Sequence, residues 1–188
     1  MKWIRHSNLE GTHSFLSASS HSWLNYDDDK LVQSYYNYIA KQRGTELHAL
    51  ASELIDKRIK LPDIRKTFNM YVNDAIGFKL DTEVLLYYSE FCYGTADAIR
   101  YDERKNFLRI HDLKTGVVKA SMDQLLIYSA LFFLEYDIDA KKTDVELRLY
   151  QNDYILVANP GIDDILPIMD KIVSSDKVLQ KIREEEEE

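Results

Sequence analysis

The strongest constraint on the fold is a change of period along the chain. From Lys30 to about Arg58, Leu31, Tyr35, Tyr38, Leu47, Leu50 and Leu54 recur at helical spacing. Gly44 interrupts that run, at a cost of about 1 kcal/mol against alanine. Pro62 opens a second, shorter helix through Ala75. The pattern then switches to β-branched and aromatic segments, Val84–Tyr88, Phe91–Tyr101 and Phe107–Leu113, which read as three strands. Ala120–Tyr136 returns to a helix whose broad apolar face takes Leu125, Tyr128, Phe132 and Phe133. Asp144–Gln151 and Tyr154–Ala158 form a second strand pair, and Pro160–Arg183 a helical end with a possible break at Pro167. Near the start, Leu16–Tyr26 begins with clustered serines that can cap a short helix, and Asp27–Asp29 reads as a helix-start cluster. This order specifies a mixed α/β (α+β) class, with a central mixed β-sheet flanked by helices.

With 188 residues, three prolines, six glycines and no repeat or linker, the sequence suggests a single domain over residues 1–183. Residues 184–188 are five glutamates, expected to form a solvated, disordered tail. They supply much of the net charge of −8; the rest of the chain has 27 acidic residues to 24 basic ones. Such a body can still bind nucleic acid through a local basic patch. No apolar run approaches the roughly 20 residues of a membrane span, and MKWIRHSNLEGTHSF lacks the apolar core of a signal peptide. Cys92 is the lone cysteine, which excludes an internal disulfide and a cysteine-ligated iron–sulfur cluster and suits a reducing cytoplasm.

The hairpin FCYGTADAIRYDERKNFLRIHDLKTG, Phe91–Gly116, carries the chemistry. Alternation along its second strand puts Leu108, Ile110, Asp112 and Lys114 on one face. Pairing about a turn at Asp102–Phe107 sets Asp97 opposite Asp112, with Cβ atoms about 5 Å apart, where like charges repel. Two readings stay open at this point. The aspartates are solvated, with Lys114 as a surface partner, or a divalent cation sits between them, for which oxygen ligands suit magnesium or manganese.

Four motifs stand in order: Gly44-Thr-Glu-Leu-His48, Gly94-Thr-Ala-Asp97, Asp112-Leu-Lys114-Thr-Gly116 and Gln124-Leu-Leu-Ile-Tyr128. In that order the sequence resembles the PD-(D/E)XK nuclease superfamily, in its RecB-like exonuclease branch of phage-type, stand-alone domains. Leu16–Tyr26 and Glu146–Tyr154 are similar to flanking segments of such members. The resemblance implies a restriction-endonuclease-like core. It implies metal ligation by His48, Asp97, Asp112 and the backbone carbonyl of Leu113, with Mg2+ or Mn2+ as cofactor and the histidine favouring manganese. It implies that Lys114 orients the attacking water and stabilises charge on the phosphate, since an ammonium is favoured among carboxylates. Gln124 and Tyr128, four apart on one helix face, would border the active site. There Gln124 would orient Lys114 or a water, and Tyr128 would contact the DNA backbone or pack in the core. Glu90 is a weaker match to the site, and Glu46 points elsewhere on its helix.

Arg100, Arg104, Lys105, Arg109 and Lys119 surround the site in sequence and are candidate phosphate contacts. Tyr35, Tyr36 and Tyr38 are candidates for stacking on single-stranded bases or for core packing. The implied activity is a metal-dependent DNA exonuclease in phage DNA recombination or processing, acting on linear ends in the host cytoplasm. The alternatives are a structure-dependent endonuclease and a catalytically silent nucleic-acid-binding subunit. No GxxxxGK[ST] motif is present, so a helicase or single-strand annealing partner would be a separate chain. A homo-oligomer would be compatible with processive action.

Overall fold

A computed structural model describes residues 3–116 and 118–187. In chain order it contains helix α1 (Asp28–Asp56), α2 (Thr67–Phe78), strands β1 (Asp81–Ser89), β2 (Cys92–Asp102) and β3 (Phe107–Leu113), α3 (Asp123–Tyr136), β4 (Asp144–Gln151), β5 (Tyr154–Ala158) and α4 (Ile162–Glu187). The five strands form one mixed sheet in the order β1-β2-β3-β4-β5. Only β3 and β4 run parallel, joined through α3; the other three pairs are antiparallel. The structure is therefore the mixed α/β sheet with flanking helices that the change of period specifies.

Two compact units separate in the chain, Met1–Thr45 and Glu46–Glu188, where the sequence suggests one domain. The reason lies in burial: among described residues of the first unit, Gly44 alone is buried. That unit holds 3-10 turns at Ser7–Leu9 and His21–Asn25 and the first half of α1. Asp27 caps α1 by accepting the Lys30 N–H at 2.8 Å. Phe15 packs against Tyr35 and Tyr38, each 5.3 Å away between ring centroids, while Tyr36 is exposed. Gly44 does not interrupt α1.

In the second unit the sheet is covered on both faces. Leu86, Leu108, Ile110, Leu147 and Leu149 pack with Leu125, Leu131 and Phe132 of α3 and with Ile165 and Ile172 of α4. Ala98, Leu113 and Tyr150 pack with Ala51 and Ile55 of α1 and with Tyr71, Val72 and Ala75 of α2. Along β3 and β4 the face under α3 and α4 is apolar, through Leu108, Ile110, Val145, Leu147 and Leu149, while Arg109, His111, Glu146 and Arg148 alternate with it on the face under α2. No helix among the described residues is long and apolar enough to cross a membrane.

Three expectations about helix boundaries change. Pro62–Lys66 is not helical, and α2 starts at Thr67. Its N-terminus is fixed from far along the chain: Asp153 accepts hydrogen bonds from the Thr67 N–H and hydroxyl at 2.9 and 3.2 Å. Asp153 and Asn152, both at positive φ, are the two residues of the β4–β5 turn. Pro167 lies inside α4 without breaking it. Finally, α4 continues through Glu187, so the acidic run extends a helix in place of the expected disorder. Lys181 supports it, 3.7 Å from Glu185 one turn on. Glu188 lies outside the described residues.

A buried polar network fixes the end of β3. The Tyr150 hydroxyl donates to Asp74 Oδ2 at 2.7 Å and lies 3.2 Å from His111 Nδ1. Asp74 also accepts from Arg148, which shares Glu146 with Arg109. Burial pushes the His111 imidazole well below its ordinary pKa, with Arg148 and Arg109 adding to the effect. Tyr150→Phe is expected to cost about 1–3 kcal/mol in urea unfolding, because it leaves His111 Nδ1 buried without a partner. A change below about 0.5 kcal/mol would show that the network carries little of the fold's stability.

Candidate functional site

The site forms where β2 and β3 diverge. Their ladder has a constant register from Asp102↔Phe107 down to Ala98↔His111. The next step would set Asp97 opposite Asp112, as the hairpin symmetry requires. Instead β3 stays with β4, through Asp112↔Leu149 and Leu113↔Tyr150, and the Lys114 N–H donates to the Tyr150 carbonyl at 2.9 Å. The Asp97 carboxylate fills the gap, its Oδ2 accepting the Leu113 N–H at 2.9 Å.

Two further ligand-type groups meet Asp97. His48, on α1, places Nδ1 3.3 Å from Asp97 Oδ2. Glu83, on β1, is the second. One ligand atom each from His48, Glu83 and Asp97 lies within 4.8 Å of the others. Glu83 falls between the paired residues Thr82↔Ala98 and Val84↔Ala96 yet is itself unpaired, and its φ is +50°. A non-glycine residue in the left-handed region within a strand costs roughly 1–3 kcal/mol, and such strain gathers at functional sites.

Beside this cluster runs a chain of polar contacts. Asp112, 1% exposed, accepts from Lys114 Nζ at Oδ1, 3.1 Å away. Lys114 Nζ is also 3.0 Å from Oδ2, as an ion contact rather than in hydrogen-bond geometry, so Oδ2 is a buried oxygen without a donor. Lys114 donates to Gln124 Oε1 at 2.6 Å, and Gln124 Nε2 donates to the Tyr128 hydroxyl at 2.9 Å. The Tyr128 ring sits in the core at 9% exposure while its hydroxyl holds Gln124. A Cβ on Gly94 would come 3.0 Å from Tyr128 Cε1, which is why this position on β2 takes no side chain. Gln151 steadies the loop after Lys114: its Nε2 donates to the carbonyls of Gly116 and Val118, both at 2.7 Å, and its Oε1 accepts the Ala120 N–H at 3.0 Å. A cleft of about 430 Å3 opens beside Lys114, lined also by Leu47, Phe68, Leu113 and Asp153.

The electrostatics are those of unbalanced negative charge. Glu83, Asp97 and Asp112 face Lys114 and a histidine. Burial first, then the charge of Asp97, pushes the Asp112 carboxyl above its ordinary range, against the pull of Lys114 and His48. The same two causes raise Glu83. The hydrogen bond to Asp97 raises His48 in spite of burial. Two carboxyls raised by burial and by the charge of Asp97, one of them with a buried oxygen that takes no hydrogen bond, fit a site for a hard divalent cation. Within the 4.8 Å cluster the donors are His48, Glu83 and Asp97. Asp112 stands in the flanking chain, and Leu113 meets Asp97 through its N–H.

Other expected residues fall elsewhere. Glu90 is exposed and pairs with Arg183 at 2.6 Å, outside the cluster. Arg109 is held by Glu146 at 2.6 Å and by the Phe78 ring, 3.9 Å from its guanidinium. Arg100, Arg104, Lys105 and Lys119 are exposed. Glu83 and Gln151 join the site beyond the residues that the motifs mark. No local signal marks Glu83, which follows Asp81 and Thr82 at the polar start of β1.

Comparison with models of protein families, with curated proteins and with solved structures found no match.

Proposed function

We propose that this protein is a metal-dependent DNA nuclease of the PD-(D/E)XK type, with exonuclease action favoured. The observation that supports it best is the Asp97 carboxylate seated where β2 and β3 diverge, with His48 and Glu83 around it and the Asp112–Lys114–Gln124 chain alongside. These residues fit a divalent cation through His48, Glu83 and Asp97, with Asp112 the next carboxylate. Such an ion, when bound, supplies Lewis acidity toward water and phosphoryl oxygen.

The chain's own residues do the rest. Lys114 presents a fixed ammonium at the mouth of the cleft, where it stabilises negative charge developing on a phosphate. Gln124 and Tyr128 keep it aimed, and Gln151 ties down Gly116, Val118 and Ala120 beside it. Asp112 holds Lys114 from below. In this reading the partner is DNA. The cytoplasm of a host cell, a phage recombination role, a separate helicase or annealing protein and a homo-oligomer belong to the same proposal.

End-labelled linear DNA and closed circular DNA, incubated with Mn2+, Mg2+ or EDTA, test it. An exonuclease shortens the linear DNA from its ends with either metal, spares the circle and stops in EDTA. Equal cutting of both forms would make it an endonuclease. Binding without cutting in any metal would make it a silent binding subunit.

A further inference from the structure

A second polar cavity, of about 420 Å3, lies at the other end of the β2–β3 hairpin. Lys79, Arg100, Lys105 and Arg109 line it with Phe78 and Phe107, against one carboxylate, Asp102. Four cations converging on one cavity are unusual in a chain whose net charge is −8.

The cations are not there to neutralise the C-terminus of α2. The closing carbonyls of that helix already accept backbone N–H groups, Ile76 from Lys79 and Ala75 from Leu80. Local acids consume only one of the four, Arg109, which pairs with Glu146 at 2.6 Å. Among the described residues Lys79 and Arg100 make no ion pair, and Lys105 reaches Asp102 only at 3.9 Å. Asp102 also accepts the Arg104 N–H. Both guanidiniums are held in place beforehand. Arg100 donates to the Lys79 carbonyl at 3.0 Å, with Lys79 at φ +59°. Arg109 is clamped by Glu146 and lies 3.9 Å and 4.8 Å from the ring centroids of Phe78 and Phe107. Those rings are covered by Arg109, so the cavity suits an oxyanion more than a stacked base. Fixed guanidiniums flanked by mobile ammoniums suit phosphate oxygens.

We propose that this cavity is a phosphate-binding site. Its position names the ligand further. Arg100 is three residues from Asp97 on β2 and Arg109 three from Asp112 on β3, so the cations lie about 10 Å along the strands from the carboxylates, and the odd spacing turns Arg109 to the sheet face opposite Asp112. A nucleic-acid strand passing round the sheet covers that separation in a few phosphate steps. The ligand is then the backbone of the strand being cut, held a few nucleotides from the reacting bond. That identification rests on the nuclease reading; the phosphate site itself does not.

The test uses the full chain and measures binding in EDTA, where cutting does not interfere. Lys79 and Lys105 are exposed, so Lys79→Gln/Lys105→Gln removes two charges without touching the core. Lys141→Gln/Lys142→Gln, on the 3-10 turn before β4, removes the same charge elsewhere. The probes are a labelled single-stranded 12-mer and tripolyphosphate. The cavity variant should bind the 12-mer about tenfold more weakly, and its log–log salt slope should fall by about 1.4, two contacts at roughly 0.7 each. The control variant should change affinity less than twofold. Weaker 12-mer binding in the cavity variant assigns the cavity to the strand. Weaker tripolyphosphate binding alone assigns it to a free phosphate compound. Equal losses in both variants, or no loss with either probe, overturn the phosphate site. Should no metal support cleavage while the cavity variant still loses affinity, the nuclease reading falls and the phosphate site stands.

Discussion

Lys114→Ala is expected to lower the cleavage rate at saturating DNA by about a hundred- to a thousand-fold, the effect of removing one fixed donor from a developing oxyanion. DNA affinity measured in calcium should change little by comparison. The prediction follows from how the ammonium is held: 3.1 Å from Asp112 Oδ1, 2.6 Å from Gln124 and at the edge of an open cleft. An ammonium held only for stability would be enclosed, whereas 28% of this side chain is exposed. Lys114→Arg should also be poor, because a planar guanidinium cannot meet Asp112 and Gln124 at once in the space of a compact ammonium. Removing Lys114 also leaves Asp112 buried without its cation, so the melting temperature of each variant must be recorded beside its rate. A variant that melts normally and cuts at near wild-type rate would show that Lys114 forms a structural ion pair and that the site acts without it.

The features of the site that the sequence exposes are those set by local periodicity. Asp112 and Lys114 meet because they are two apart on a strand, and Gln124 and Tyr128 because they are four apart on a helix. Strands β4 and β5 have legible bounds because a two-residue turn separates an alternating run from an apolar one. What stays hidden depends on long-range geometry. The start of α2 is set by Asp153, 86 residues away in the chain, and no nearby residue announces it. Glu83 joins the site only because its backbone takes φ +50° and leaves the ladder; alternation alone would treat it as one more outward side chain. The facing of Asp97 and Asp112 agrees with the register of the hairpin but is incomplete. The two strands diverge a step before that pair, and Asp97 replaces a backbone partner. The division at Thr45 is hidden for another reason: apolar residues are plentiful before it, but among the described ones the fold leaves them exposed or half-buried.

Asp97→Asn should abolish cleavage and most of the stabilisation that a divalent ion gives. Asp97 is the residue that both His48 and Glu83 approach, so its charge sets the affinity of the cluster. An ion that binds only the folded chain stabilises it by RT ln(1 + [M]/Kd), about 2.7 kcal/mol at a hundred times Kd. In the wild type the manganese-dependent melting shift should therefore be large, and in Asp97→Asn small. The pH dependence supplies a second check. Without metal, His48 has a raised pKa, so its pairing with Asp97 stabilises the fold fully below about pH 6.5 and is lost as pH rises through the folded value. Ion binding runs the other way, because a protonated imidazole, or the raised carboxyls of Glu83 and Asp112 in their protonated forms, compete with the metal. The manganese-dependent shift should accordingly grow from about pH 5.5 to about pH 8. Glu83→Gln should reduce it as well, whereas Glu90→Gln, a change at the Arg183 ion pair, should leave it intact. A melting shift in Asp97→Asn equal to that of the wild type, with the same rise in pH, would place the ion elsewhere and leave the His48–Asp97 contact a structural pair.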